Sequence, residues 1–174
     1  NLKGEIEARE DSFSEVVQKG EMMIAQDHPQ STDIKSRMKA LLGERQNLHM
    51  AWQQKKVYLD QLTDLHYFLR DARQIMSIYI TQEHALLKRP VLNSIEDVEI
   101  EIKQHEACKN LLQSYADKVK YLQTHAKKLT DQNHFESNLI RKKMKEVEAQ
   151  SRNVTQSAVA KEENLALIKL YLEF

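Results

Sequence analysis

Between Pro29 and Pro90 the apolar residues recur at steps of three and four with no interruption. Ile34, Met38, Leu41, Leu48, Trp52, Leu59, Leu62, Leu65, Leu69, Ala72 and Leu86 lie on that stripe, and one stripe at that period is one face of an α-helix. Ser31, Thr32 and Asp33 offer capping side chains just after Pro29, and Gly43 is the only glycine in the run. The pattern predicts one helix over 31–89, about 85–90 Å long at 1.5 Å per residue. A helix of that length outruns a single globular core, so it is expected to leave one helical bundle and open the next.

The flanking segments carry the same period. Leu2, Ile6, Phe13, Val16, Val17, Met23 and Ile24 predict a helix over 2–26. Gly20 is a weak point inside it, costing about 1 kcal/mol relative to Ala. His28-Pro29 ends it, because the residue before a proline is pushed out of helical conformation. Beyond Pro90, Ser94 with Asp97 resembles a capping box. It opens a helix over about 94–130 with Val98, Ile102, His105, Leu112, Ala116, Val119, Leu122, Ala126 and Leu129 inward. Thr130 to Asn133 read as a turn, and a last helix over about 135–173 has Ile140, Met144, Val147, Val154, Ala158, Leu165, Ile168 and Tyr171 inward. The short connections predict antiparallel neighbours.

The chain also matches itself. Shifted by 106 residues, Phe68 falls on Phe174, His28 on His134, Ser31 on Ser137, Ile34 on Ile140, Met38 on Met144 and Leu59 on Leu165. Leu41 falls on Val147, Leu48 on Val154, Phe13 on Val119 and Leu62 on Ile168. A fixed period with a matched turn and matched core positions marks an array of structural units. The fold class expected is therefore all-α: tandem three-helix coiled-coil bundles sharing a continuous linker helix, the first bundle incomplete. Residues 1–59 hold the end of a second helix and a third helix. Residues 60–174 hold a complete unit, with helices at 60–89, 94–130 and 135–173.

Composition agrees: 41% hydrophobic, 30% charged, 3 glycines and 2 prolines in 174 residues suit helical bundles better than sheets. Lys+Arg and Asp+Glu both number 26, so no global positive field exists to hold nucleic acid. A single cysteine, Cys108, cannot form an internal disulfide and fits a reducing compartment. No apolar run reaches the roughly 18–20 residues that span a bilayer. The opening Asn1-Leu2-Lys3-Gly4 is neither a signal peptide nor an initiator methionine, so the chain is expected to be a piece of a longer one.

Catalytic, cofactor and metal chemistry find no residues to carry them. The seven histidines, His28, His49, His66, His84, His105, His125 and His134, show no His-x-x-x-His or Glu-x-x-His spacing. His105 is expected to be a hydrogen-bonded structural residue, and Cys108 a small buried hydrophobe rather than a nucleophile. Carboxylates are scattered over helix faces, where ion pairs contribute little each. Two surfaces remain as interaction candidates. One is the run Arg141, Lys142, Lys143 and Lys145, a solvated face or a contact for anionic lipid or an acidic partner. The other is the apolar groove of the unpartnered hairpin, with Phe13 and Val17, which a second chain could complete.

Several stretches together resemble the spectrin-repeat family over nearly the whole chain. Phe68-Leu69-Arg70-Asp71-Ala72 resembles the start of that family's first helix. Ser94-Ile95-Glu96-Asp97-Val98 with Ile102-Lys103-Gln104-His105-Glu106 resembles its second. His28-Pro29 before Ile34 and Met38 resembles the approach to its third, as do Ile140, Met144 and Val147. The resemblance implies a cytoplasmic, cortical, submembrane cytoskeletal protein acting as elastic spacer and scaffold. It implies alpha-spectrin, ankyrin, actin or anionic lipid as possible partners, with peripheral membrane association and no enzyme activity. Overall flavour leans towards a beta-type spectrin chain. The chain departs from the family at its tryptophans. Ile78 stands where the first-helix Trp is common, and Arg45 and Ser151 stand at the third-helix position. The only Trp, Trp52, lies near the expected junction, with Leu59 and Leu62.

Overall fold

The computed structural model describes residues 2–173, the side chain of Leu2 excepted. Asn1, the Leu2 side chain and the Phe174 end of the internal match lie outside the described residues. Four helices account for the secondary structure: α1 (Leu2–Ala25), α2 (Ser31–Leu86), α3 (Ile95–Asp131) and α4 (Ser137–Glu173). The described residues contain no strand. The chain divides into two compact units, Asn1–Tyr58 and Leu59–Phe174, and α2 contributes to both without a break. That helix stops at Leu86 rather than at Arg89, since Pro90 biases the preceding residues towards extended backbone.

Unit 2 is a three-helix bundle, and its ion pairs and hydrogen bonds set the register. Glu99, Glu101, Lys109 and Gln123 of α3 meet Lys169, Lys161, Glu162 and Glu148 of α4, so these helices run antiparallel. Phe68 lies edge-on to His125 and Tyr79 lies 6.4 Å from Tyr115, so α2 is antiparallel to α3. Gln61 near the start of α2's share of unit 2 meets His134 just before α4, and Tyr79 further along meets Ser151, so α2 runs parallel to α4. One core fills the middle, built on Phe68, Ala72, Ile75 and Tyr79 of α2, Leu112, Val119 and Leu122 of α3, and Ile140, Met144, Val147 and Val154 of α4. The α3 capping box forms as the sequence predicts: Asp97 N–H donates to Ser94 Oγ, and the Asp97 carboxylate accepts from the Ser94 N–H.

Four inward assignments in α3 and α4 differ in the structure. Ile102, Ala116 and Ile168 are half-buried, and Tyr171 is 82% exposed. Tyr171 is the 106-residue equivalent of Leu65, which is buried in unit 2. Its position on the stripe is right by periodicity, but no second and third helix lie opposite it. Ile78 is half-buried, and the aromatic side chain beside it in α2 is Tyr79. Tyr79 is buried, and its hydroxyl accepts from Ser151 Oγ at 3.3 Å.

Unit 1 is a two-helix hairpin of α1 and the first part of α2. Among its described residues only Gly20 is fully buried. A Cβ there would collide with the sulfur of Met38, so the missing side chain of Gly20 makes room for Met38 of α2 against α1. This close approach accounts for a residue that otherwise weakens α1. Gly20→Ala is therefore expected to yield less than the roughly 1 kcal/mol of its propensity gain, and to recover it in a Met38→Ala background. Trp52 fluorescence during urea unfolding of the whole chain measures both. In unit 2, Phe68→Ala is expected to cost about 3–5 kcal/mol, read from the helical circular dichroism signal.

Candidate functional site

The best-defined polar constellation in unit 2 lies at the turn between α3 and α4. Asn133 adopts φ 55°, a left-handed conformation that Asn and Asp tolerate because their side chains bond locally. Its N–H bonds Thr130 O and the next N–H, of His134, bonds Leu129 O, closing the end of α3. His134 then faces inward and is buried. Its Nδ1 accepts from the Glu136 N–H at 2.9 Å, which leaves the proton on Nε2 to donate to the Gln61 carbonyl at 2.8 Å. The Gln61 side chain in turn accepts from the Phe135 N–H. The His134 ring stacks on Phe135 with centroids 4.7 Å apart. This histidine thus ties the start of unit 2's first helix to the turn that opens its third.

The same turn recurs in unit 1, 106 residues earlier. Asp27 adopts φ 51°, its N–H bonds Ile24 O, and the His28 N–H bonds Met23 O. Ser31 and Ser137 each donate a hydroxyl to the carbonyl of the preceding histidine. His28 is half-buried, and its Nδ1 accepts from the Gln30 N–H. The sequence match between His28 and His134 signalled this motif. The pairing of Asp27 with Asn133, both tolerant of positive φ, could have found the turn itself.

The basic run sorts into two parts. Lys143 is half-buried and pairs with Glu146 at 2.6 Å, and the hydrogen bond it gives holds that carboxyl below its usual range. Arg141, Lys142 and Lys145 are exposed and form no ion pair among the described residues. Arg141 and Lys145 face Lys127 of α3 across a groove of about 370 Å³ floored by Met144 and Ala126. In unit 1, Phe13 and Val17 are half-buried. Phe13 lines a groove of about 360 Å³ with Ile6, Leu41 and Leu48. The Arg45 guanidinium lies 4.6 Å over the Phe13 ring and pairs with Glu10, while its Nε is buried without a partner. Trp52 is half-buried beneath Lys56, and Leu59 and Leu62 are exposed.

The remaining candidates carry no chemistry. Cys108 is half-buried against the core rather than buried, and desolvation pushes its thiol up, away from the reactive thiolate. His105 is buried, yet neither ring nitrogen has a hydrogen-bond partner, contrary to expectation. Stripe position alone put it inward, where no donor or acceptor of a neighbouring helix reaches it. No group of three metal-ligating side chains gathers among the described residues, and no helix there is long and apolar enough to cross a membrane.

A three-helix unit, a repeated helix–turn–helix and a shared long helix together define a tandem helical-repeat protein. The family model for the spectrin repeat matches residues 1–61 and 63–166. The chain belongs to the spectrin-repeat family, a structural rather than an enzymatic one. It is 28% identical over 169 residues to a spectrin beta chain of Drosophila melanogaster, covering 95% of this chain and 7% of that protein. It is 29% identical over 117 residues to an erythrocytic spectrin beta chain of Mus musculus, covering 67% of this chain and 6% of that one. An erythrocytic spectrin alpha chain of Mus musculus is 28% identical over 138 residues, covering 79% and 6%. The chain thus spans less than a tenth of each relative's length.

The turn makes a direct comparison possible. His134→Ala removes a buried ring with two hydrogen bonds and is expected to cost unit 2 about 1–3 kcal/mol. His28→Ala, at a half-buried ring bonded only within its own turn, is expected to cost less. Urea midpoints of the two variants against wild type settle the order.

Proposed function

We propose that the chain is a structural segment of a spectrin-type cytoskeletal rod, acting as spacer and elastic scaffold at the cytoplasmic face of a membrane. The observation that carries this reading is α2, one unbroken helix of 56 residues that serves both units. A shared helix gives force and orientation a hydrogen-bonded path from one bundle to its neighbour, and linked repeats of this kind share stability. On this reading residues 1–59 are a partial repeat, 60–174 a complete one, and Trp52, Leu59 and Leu62 belong to the junction. The length of each bundle, about 50 Å for 35 residues per helix, is its contribution to the spacer. The 95% coverage by a beta chain supports a beta-type parent, with an alpha-spectrin chain, ankyrin or actin as the partners its family suggests.

The apolar groove of unit 1 takes a helix equivalent to residues 60–86 from elsewhere in the same polypeptide. Self-association through that groove is the competing occupant, and sedimentation that finds only monomer at high concentration removes it. Replacing Asp60 with Pro is expected to break α2 locally at a cost of about 3 kcal/mol or more, and to separate one coupled unfolding transition into two. Trp52 fluorescence follows unit 1 and whole-chain circular dichroism follows both. Transitions that stay coupled in the variant contradict the shared-helix reading.

A second reading, docking of an anionic surface, is favoured by Arg141, Lys142 and Lys145, which are exposed and form no ion pair among the described residues, although Lys142 also acts on Glu146 and Glu148 lines the groove beside Arg141 and Lys145. Reversing all three to Glu is expected to abolish salt-sensitive binding to phosphatidylserine vesicles while leaving helicity unchanged. Equal, weak retention of both proteins by the vesicles marks the segment as plain spacer.

A further inference from the structure

His105 is 5% exposed, and both of its ring nitrogens lack a hydrogen-bond partner in the protein. It lines a cavity of about 440 Å³ at the end of unit 2 where α2 gives way to the connection to α3. Gln82 and Lys88 line the same cavity from α2 and that connection, Glu101 and Cys108 from α3, and Lys161 from α4. The charges facing the ring are already matched. Glu101 holds Lys161 at 2.6 Å, with both side chains only 14% exposed, and Glu162 holds Lys109 at 2.7 Å. Lys88 adds a positive group on the α2 side.

A neutral imidazole is tolerated here at the cost of its missing hydrogen bonds. An imidazolium is not. It brings two N–H donors and a charge into a site where each nearby carboxylate is committed to a lysine. It can be satisfied by water entering through the cavity, by rearrangement of the Gln82 or Gln104 amide that lines it, or by taking a carboxylate from its lysine. We infer that His105 is a proton-sensitive latch, whose protonation loosens the seam between α2 and α3 at this end of unit 2.

The sign follows from the burial. Desolvation lowers the proton affinity of the folded ring below its ordinary value of 6.5, and the attraction of Glu162 is opposed by Lys161 and Lys109. The unfolded chain therefore takes up the proton first as the pH falls. The stability that the neutral ring permits is present above about pH 6.5 and is lost as the pH drops from there towards the folded value. One proton sets a limiting slope of about tenfold in the folding equilibrium per pH unit.

Cys108, the only cysteine, lines the same cavity and reports its opening. The experiment measures alkylation of Cys108 in the whole chain between pH 7.5 and 5.5, each rate divided by that of the denatured chain at the same pH. That division removes the intrinsic pH dependence of the thiol. Wild type is expected to show a relative labelling rate that rises several-fold as the pH falls, under conditions where the helical signal is unchanged. His105→Leu fills the site without a titrating group, and its relative rate is expected to stay flat. His105→Gln, uncharged but polar, serves the same purpose should the Leu variant repack. Curves for wild type and variant that run parallel, or labelling that rises only when the helical signal falls, overturn the latch.

Discussion

An apolar stripe as wide as those of a three-helix bundle is fully buried only when two neighbouring helices cover it, and this constraint separates the two units. The 106-residue match supplies the comparison within one molecule. Ile140, Met144, Val147, Val154 and Leu165 are all buried in the three-helix unit. Their equivalents Ile34 and Met38 are half-buried in the hairpin, where Leu41 and Leu48 are 37% and 50% exposed; Leu59, the first residue of unit 2, is 47% exposed. The residues are nearly the same in kind; the number of helices opposite them differs. Burial contributes roughly 25 cal/mol per Å² of apolar surface, so most of the packing stability of the described residues resides in unit 2. Among the described residues of the hairpin only Gly20, packed against Met38, is fully buried.

Polar side chains at stripe positions are accommodated in different ways. Ser151 gives its hydroxyl to Tyr79, which makes a hydrogen-bonded pair of what would be an aromatic slot. Its equivalent Arg45 lies over Phe13 and pairs with Glu10, so a charge is carried on an aromatic face and balanced at the rim. His134 is fully bonded and holds the turn to α2. His105 has no bond at all, and it sits beside a matched pair of lysines and carboxylates. A rigid turn at one end of unit 2 and a polar cavity at the other make the two ends physically unequal.

The surface is consistent with a mechanical rather than a chemical role. Charges are balanced in number, and most ion pairs among the described residues are exposed and contribute little individually. Depressed carboxyls such as Asp97, Glu146 and Glu162 each owe their shift first to a hydrogen bond, from Ser94, Lys143 and Lys109 respectively, with the Asn93 and Ser94 backbone N–H groups adding to the first and nearby positive charge to the other two. Asp97 caps α3, Glu146 pairs within α4, and Glu162 ties α4 to α3. Membership of the spectrin-repeat family gives the same answer from a separate direction.

Periodicity alone determined the helices, to within a few residues at each end, because a 3.6-residue repeat is a local property of the chain. The 106-residue match determined that two related units exist and that α2 joins them, since a repeated turn and core leave little freedom in register. Capping at Ser94 was equally local and equally legible. Only the tertiary structure decided which stripe positions are covered. Tyr171 and Leu48 lie on their stripes, yet remain exposed for want of helices opposite. It alone decided that His134 reaches the Gln61 carbonyl, 73 residues away, while His105 reaches nothing. A stripe states which face of a helix turns inward. What that face meets depends on neighbours brought close by the fold, and a one-dimensional period does not contain them.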